Sequence, residues 1–236
     1  MVHVIRRCHV LGLIAVLLGT GGCQSGGSCD ADSACPGDAI CSIEQACFNP
    51  VVTITSPASD PAYTNATLTL EATVQGGTPA RLEFLLDGNS LALLTTPPFL
   101  TTWNTSAAFE GRHVLLARTL SLVKAGAYSP RLSVFVDRTP PALMSVSPFT
   151  NETYLDTLSF IFSEPILSSS VTTTSLSLSA DGSAVAYTAA LSADGTTLTV
   201  SPGSFARPAT LEATLKGLTD LAGNSLPLTR LSWTAP

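Results

Sequence analysis

Charge is scarce in this sequence: 12% of its 236 residues are Asp, Glu, Lys or Arg, about half of the ~25% usual in soluble domains. Charge-driven disorder is thereby excluded over most of the length. Lysine is nearly missing, and no basic run exists among 11 cations set against 17 anions. The net charge of -6 argues against nucleic acid or an anionic membrane face as a partner. The longest apolar run, 11–18 (LGLIAVLL), is less than half of the ~20 residues that cross a bilayer as a helix. Of three histidines, only His113 lies outside the first ten residues, so histidine-based zinc is excluded. A Ser-His-Asp catalyst would have to use that one ring. Ser90 and Ser225 sit in Gly-Asn-Ser triplets, and neither completes a G-x-S-x-G elbow before a helix. No catalytic residue, metal or cofactor is expected.

Prolines, glycines and threonines are abundant, and they organise the chain. Residues 1–22 carry a cationic start ending in Arg6-Arg7, the short apolar run and a small-residue exit, the pattern of a secretory signal peptide. The segment LLGTGGC (17–23) resembles a bacterial lipobox. That resemblance implies that Cys23 is lipidated and begins the mature chain, with Thr20 departing from the usual Leu. Ordinary cleavage would leave Cys23 for a disulfide, but parity favours lipidation, since Cys23 removed leaves four cysteines downstream. Gln24 after the cysteine resembles the outer-membrane-directed class of lipoproteins. The chain is then expected to be exported and held at the outer membrane or cell surface by its lipid.

Residues 23–49 follow as an anchor and cysteine-rich stalk. Cys29, Cys35, Cys41 and Cys47 are separated by five residues each, among small and acidic side chains. So few large apolar groups build no core, so covalent closure has to replace one. Two disulfides are expected in any of three connectivities; four thiolates on zinc are the competing reading, disfavoured by the spacing and the oxidising compartment. The stretch resembles small cysteine motifs that follow the anchor in surface lipoproteins of Gram-negative bacteria.

From Val51 onward apolar and polar residues alternate between turn residues, and no helical period persists. Seven strands are expected in 50–138, among them 67–74 (TLTLEATV), 81–86 before the hairpin signal Asp87-Gly88, and 113–120 (HVLLARTL). The pair Pro140-Pro141 marks a seam. A second set fills 139–236, including 157–165 (TLSFIFSEP), a single strand over 185–191, and 210–217. The expected fold is all-β: two tandem immunoglobulin-like sandwiches. Phe84, Trp103 and Val114 are the expected core of the first, and Phe160, Phe162, Leu198 and Trp233 that of the second.

Motifs then add a resemblance. Residues 51–137 resemble a bacterial Ig-like module through FLLDG (84–88), TWNT (102–105) and GRHVLLA (111–117). Residues 140–236 look like the S-layer-type bacterial Ig-like domain through FIFSEPI (160–166), LSADGTTLTVSP (191–202) and DLAGN (220–224). The resemblance implies a spacer or binding module without an active site, serving structural, adhesive or protein contacts at the envelope. The alternative is carbohydrate binding through Tyr63, Tyr128, Tyr154 and Tyr187, which requires a cluster of two or more rings on one face and is not favoured by the low aromatic content. Asp181, Asp194 and Asp220 stand beside loop glycines, where calcium and plain turn chemistry compete as explanations. Glu164, in FSEP, is placed to pair with the DLAGN loop.

Overall fold

The computed structural model describes residues 29, 35, 39–121, 125–149 and 156–236. Cys23 and the signal sequence lie outside them. Two short strands, β1 (Ile40–Cys41) and β2 (Cys47–Phe48), pair antiparallel with Cys41 opposite Cys47. Disulfides join Cys29 to Cys41 and Cys35 to Cys47, so the connectivity is first to third and second to fourth, and all four sulfurs are engaged.

This unit buries two large side chains, Ile40 and Phe48, at 0% and 5% exposure, and both face the first sandwich. A Cβ on Gly77 would come within 2.9 Å of the Phe48 ring, and one on Gly126 within 3.3 Å of Ile40. The Ile43 N–H donates to the Thr78 carbonyl at 3.1 Å. The cysteine unit is therefore docked: Ile40 and Phe48 serve an interface, while its own buried cluster among the described residues is limited to Cys29, Cys35, Ala39 and Cys47. Gly77→Ala forces the Phe48 ring aside. The expected cost is about 1–3 kcal/mol, read as faster proteolysis near residue 49 and a lower unfolding midpoint of the first sandwich; unchanged values would show the contact to be incidental.

The first sandwich runs from β3 (Val51–Ser56) through β4 (Ala62–Thr64), β5 (Thr67–Gln75), β6 (Arg81–Leu86), β7 (Asn89–Leu94), β8 (Phe99–Asn104), β9 (Gly111–Leu120) and β10 (Ala125–Tyr128) to β11 (Leu132–Val136). One sheet has the order β4-β11-β9-β6-β7, with β10 also on β9, and the other is β3-β5-β8. Alternation explains which side chains meet between them: Leu82, Phe84, Leu115, Ala117 and Val134 are fully buried at 0%. Asp87 and Gly88 adopt φ of 50° and 82°, the left-handed pair that a two-residue hairpin needs. Trp103 is in the core, but Val114 is not. The inward positions of β9 are 115, 117 and 119, so Val114 points out of the sheet and is only partly buried. Two strands beyond the expected seven are present. β4 is three residues long and pairs parallel with β11, and β10 (AGAY) carries no apolar alternation.

The second sandwich comprises β12 (Leu143–Ser147), β13 (Leu158–Phe162), β14 (Leu176–Ala180), β15 (Ser183–Val185), β16 (Tyr187–Leu191), β17 (Thr197–Pro202), β18 (Ala209–Leu215) and β19 (Thr229–Ala235). Its sheets are β12-β13-β17-β16 and β15-β14-β18-β19. The expected single strand over 185–191 is two strands in different sheets. Ala186 is the crossing point, and its carbonyl accepts from the Gly203 N–H at 2.6 Å. Phe160, Phe162, Leu198 and Trp233 all lie in one buried cluster.

Candidate functional site: a carboxylate cluster at the seam and an arginine–aromatic sheet face

His113 is the residue on which hydrolytic chemistry would depend. Its Nδ1 lies 2.6 Å from Asp87 Oδ2, but its Nε2 faces the Phe109 carbonyl at 2.8 Å. A carboxylate is thus present and a hydroxyl nucleophile is not; a backbone oxygen occupies the position a serine would need. Burial disfavours the imidazolium, but the Phe109 carbonyl and the Asp87 carboxylate outweigh it and raise the pKa above 6.5. A raised folded pKa stabilises the protein fully below 6.5, and this contribution is lost as pH rises through the folded value. The first sandwich should therefore lose stability from pH 6 to 8 in urea titrations, and Asp87→Asn should flatten that slope. An unchanged slope in the variant would remove the pair from the explanation.

Asp194 closes its own turn, and Asp181 ties its turn to β18. Asp181 Oδ1 accepts from the Thr210 N–H at 2.9 Å, and Asp194 Oδ1 accepts from the Thr196 N–H at 3.1 Å. Neither belongs to a carboxylate cluster among the described residues.

Asp220 does. FSEP and DLAGN are brought together by the bridge between Ile166 and Asp220, as the position of Glu164 suggested. Asp220 is 1% exposed. Its carboxylate accepts from the N–H groups of Ala222 and Asn224 at 2.8 and 2.9 Å and from Asn224 Nδ2 at 2.8 Å. The third member, Asp137, comes from the end of the first sandwich, and the three carboxylates place oxygens within 4.8 Å of one another. Burial, then the charges of Asp137 and Asp220, push the Glu164 pKa up to about 7. Hydrogen bonding to Asp137 favours the acid form of Glu164 as well.

The seam is tied on both sides. The Arg138 guanidinium donates to the carbonyls of Thr105 and Ala108, and its N–H donates to Glu110 at 3.0 Å, fixing it to the first sandwich. Ala142 and Ser163 exchange bonds of 2.9 Å within the second. Across the gap, Asn224 Nδ2 donates to the Asp137 carbonyl at 3.0 Å and Asn65 Nδ2 donates to Asn224 Oδ1 at 3.1 Å.

The outer faces of the first sandwich differ in kind. On β3-β5-β8 the exposed positions are mainly threonines, Thr53, Thr67, Thr69, Thr73 and Thr102, with Val51 and Leu100 as exposed apolar residues beside them. On the larger sheet, cross-strand register aligns Tyr63 with Phe135 and Phe135 with Arg112. It also aligns Tyr128 and Glu83 with Arg118. Tyr63 and Phe135 stack at 5.3 Å. Arg118 Nε donates to Glu83 at 2.6 Å, Nη1 donates to the Tyr128 hydroxyl at 3.1 Å, and the guanidinium lies 5.9 Å from that ring. Glu83 is buried, which disfavours its charge, yet Ser90 and Arg118 hold its pKa below the usual carboxylate range. Of the four tyrosines, Tyr63 and Tyr128 share this face at 38% and 51% exposure. The Tyr187 hydroxyl donates to the Leu176 carbonyl, and Tyr154 lies outside the described residues. No helix among the described residues is long and apolar enough to cross a membrane.

Residues 50–117 match the family model described as a bacterial Ig domain, and residues 137–235 the one described as a bacterial Ig-like domain. Among solved structures, fibronectin(III)-like modules of Clostridium thermocellum CbhA are 27% identical. That match covers 37% of this chain and 96% of the other, with a TM-score of 0.31. The N-terminal part of the bacterial S-layer protein SbsC is 19% identical over 41% of this chain, which spans only 24% of that structure, with a TM-score of 0.34. Murine CEACAM1b is 12% identical over 79% of this chain and 99% of its own, with a TM-score of 0.32. No curated protein is significantly similar to the chain.

Proposed function

With two tandem bacterial Ig-like domains in the chain, we propose that it is a non-catalytic lipoprotein of the cell surface, presenting the first domain for contacts with other envelope or extracellular molecules. The observation that carries this reading is the contrast between the two outer faces of the first sandwich. Threonines suit permanent contact with water. Tyrosine, phenylalanine and arginine are residues enriched where proteins bind. His113, closed by a backbone carbonyl, supports the non-catalytic part. Cys23 is the lipidated residue in this reading, the cysteine unit is the stalk, and the outer membrane is the membrane that holds it.

Labelled palmitate should enter the wild-type protein in a globomycin-sensitive manner. Cys23→Ser should abolish the label and release the protein to the soluble fraction. Label retained in that variant would remove the anchor. Carbohydrate, the second reading, needs a cluster of rings; Tyr63 and Tyr128 lie on one face but apart along β9, level with Arg112 and Arg118. Binding on a glycan array that is lost in Tyr63→Ala/Tyr128→Ala would support it, and binding unaffected by both substitutions would end it.

A further inference from the structure

We propose that the seam between the two sandwiches is a proton-operated clasp, in which a protonated Glu164 bridges to Asp137 and fixes the domains, and an ionised Glu164 frees them. This inference is independent of the anchor and of any surface partner.

Chain position decides who meets whom. Asp137 immediately follows β11 and belongs to the first sandwich, because its N–H donates to the Thr64 carbonyl at 3.0 Å. Glu164 and Asp220 sit on two loops of the second sandwich, joined by the bridge at Ile166. Three carboxylate oxygens within 4.8 Å of one another therefore span the seam, one from one side and two from the other. With a proton on Glu164, its O–H donates to the Asp137 carboxylate, a charge-assisted hydrogen bond linking the domains directly. Without that proton the same atoms are three like charges in a partly desolvated gap, where repulsion is screened less than in water.

The charged groups around Glu164 leave the repulsion uncompensated. Asp137 and Asp220 face it and are both acidic. Asp220 is held in place by its own loop through Ala222 and Asn224, so it cannot turn away. The cation nearest in sequence to the cluster, Arg138, is engaged by the Thr105 and Ala108 carbonyls and lies 3.8 Å from Glu110. Opposing separation are two side-chain hydrogen bonds through Asn224. Small polar contacts of this kind leave relative domain motion as the ordinary behaviour. The balance therefore turns on the proton, and Glu164 releases it near neutral pH because burial and its two acidic neighbours raise its pKa to about 7.

The test measures interdomain distance in the full chain carrying Cys23→Ser, with EDTA present and ionic strength fixed. Fluorophores are placed through non-canonical residues at Thr69 and Ser177, one exposed position on each sandwich. The single-molecule transfer distribution should be narrow at about pH 5.5 and broaden by about pH 8.5, with its midpoint near the Glu164 titration. Glu164→Gln should stay narrow throughout. Asp137→Asn, a second variant that removes one of the charges raising the Glu164 pKa, should move the midpoint to lower pH or abolish the change. A wild-type distribution unaltered over this range would overturn the proposal. So would a transition retained at the same midpoint in Glu164→Gln, or broadening that coincides with loss of far-UV β signal.

Discussion

Trp233→Ala should destabilise the second sandwich by about 3–5 kcal/mol, the largest single-site loss expected in this chain. The ring is 1% exposed and meets Phe160 edge-on at 6.4 Å. Its indole N–H donates to the Pro148 carbonyl at 2.9 Å. Truncation opens a cavity that flanking β strands close poorly, and it strands a buried carbonyl as well. Domains of this size are stable by about 5–15 kcal/mol, so the loss takes about a fifth or more of what holds the fold. The chain has two tryptophans, Trp103 in the first core and Trp233 in the second. In the variant, Trp103 fluorescence reports the first sandwich alone, while far-UV circular dichroism reports both. The circular dichroism transition should split in urea, with the Trp103 transition unmoved. If both shift together, the two sandwiches form one cooperative body and their independence is refuted.

Removing the Cys35–Cys47 disulfide is the second large effect. The bond joins residues 12 apart, and closing a loop of that size is worth about 3 kcal/mol in the unfolded-chain entropy account. The segment has few substitutes for it: β1 and β2 are two residues each, too short to persist as a free hairpin. Cys35→Ala/Cys47→Ala should therefore abolish amide protection across 40–48 in hydrogen exchange, while β5, β6 and β9 keep theirs. Retained protection at Ile40 and Phe48 would mean that docking on the first sandwich, and not covalent closure, orders the unit.

Much of this architecture is legible because a half-buried strand writes its own pattern. In β11 the buried Leu132, Val134 and Val136 alternate with the half-buried Ser133 and Phe135, and the Asp87-Gly88 turn closes the β6–β7 hairpin as its left-handed dihedrals require. Val114 shows where the pattern fails. In HVLLARTL four consecutive apolar residues crowd the strand, and only the partner strands decide that 115 and 117 face inward. At Ala186 an unbroken alternation hides a change of sheet, because period two survives a strand crossing from one layer to the next. β4 and β10 are too short or too poor in apolar residues to give any signal. The seam cluster is legible by half. Glu164 and Asp220 belong to two motifs of one domain, but Asp137 joins them through tertiary placement, which a linear sequence does not encode locally. The arginine–aromatic face is hidden for the same reason, since it is assembled from β4, β9, β10 and β11.

The docked cysteine unit also determines how the protein would bear a mechanical load. Phe48 rests on Gly77, just past the end of β5, and Val51 of β3 pairs with Gln75 at that same end. A pull entering from the N-terminal side meets covalent cross-links before it meets any ladder of hydrogen bonds. Its first point of purchase on the sandwich is a collar that clamps β3 to β5 where peeling would begin. Rupture one bond at a time is thereby discouraged, and the β3–β5 register must yield in shear, several bonds at once.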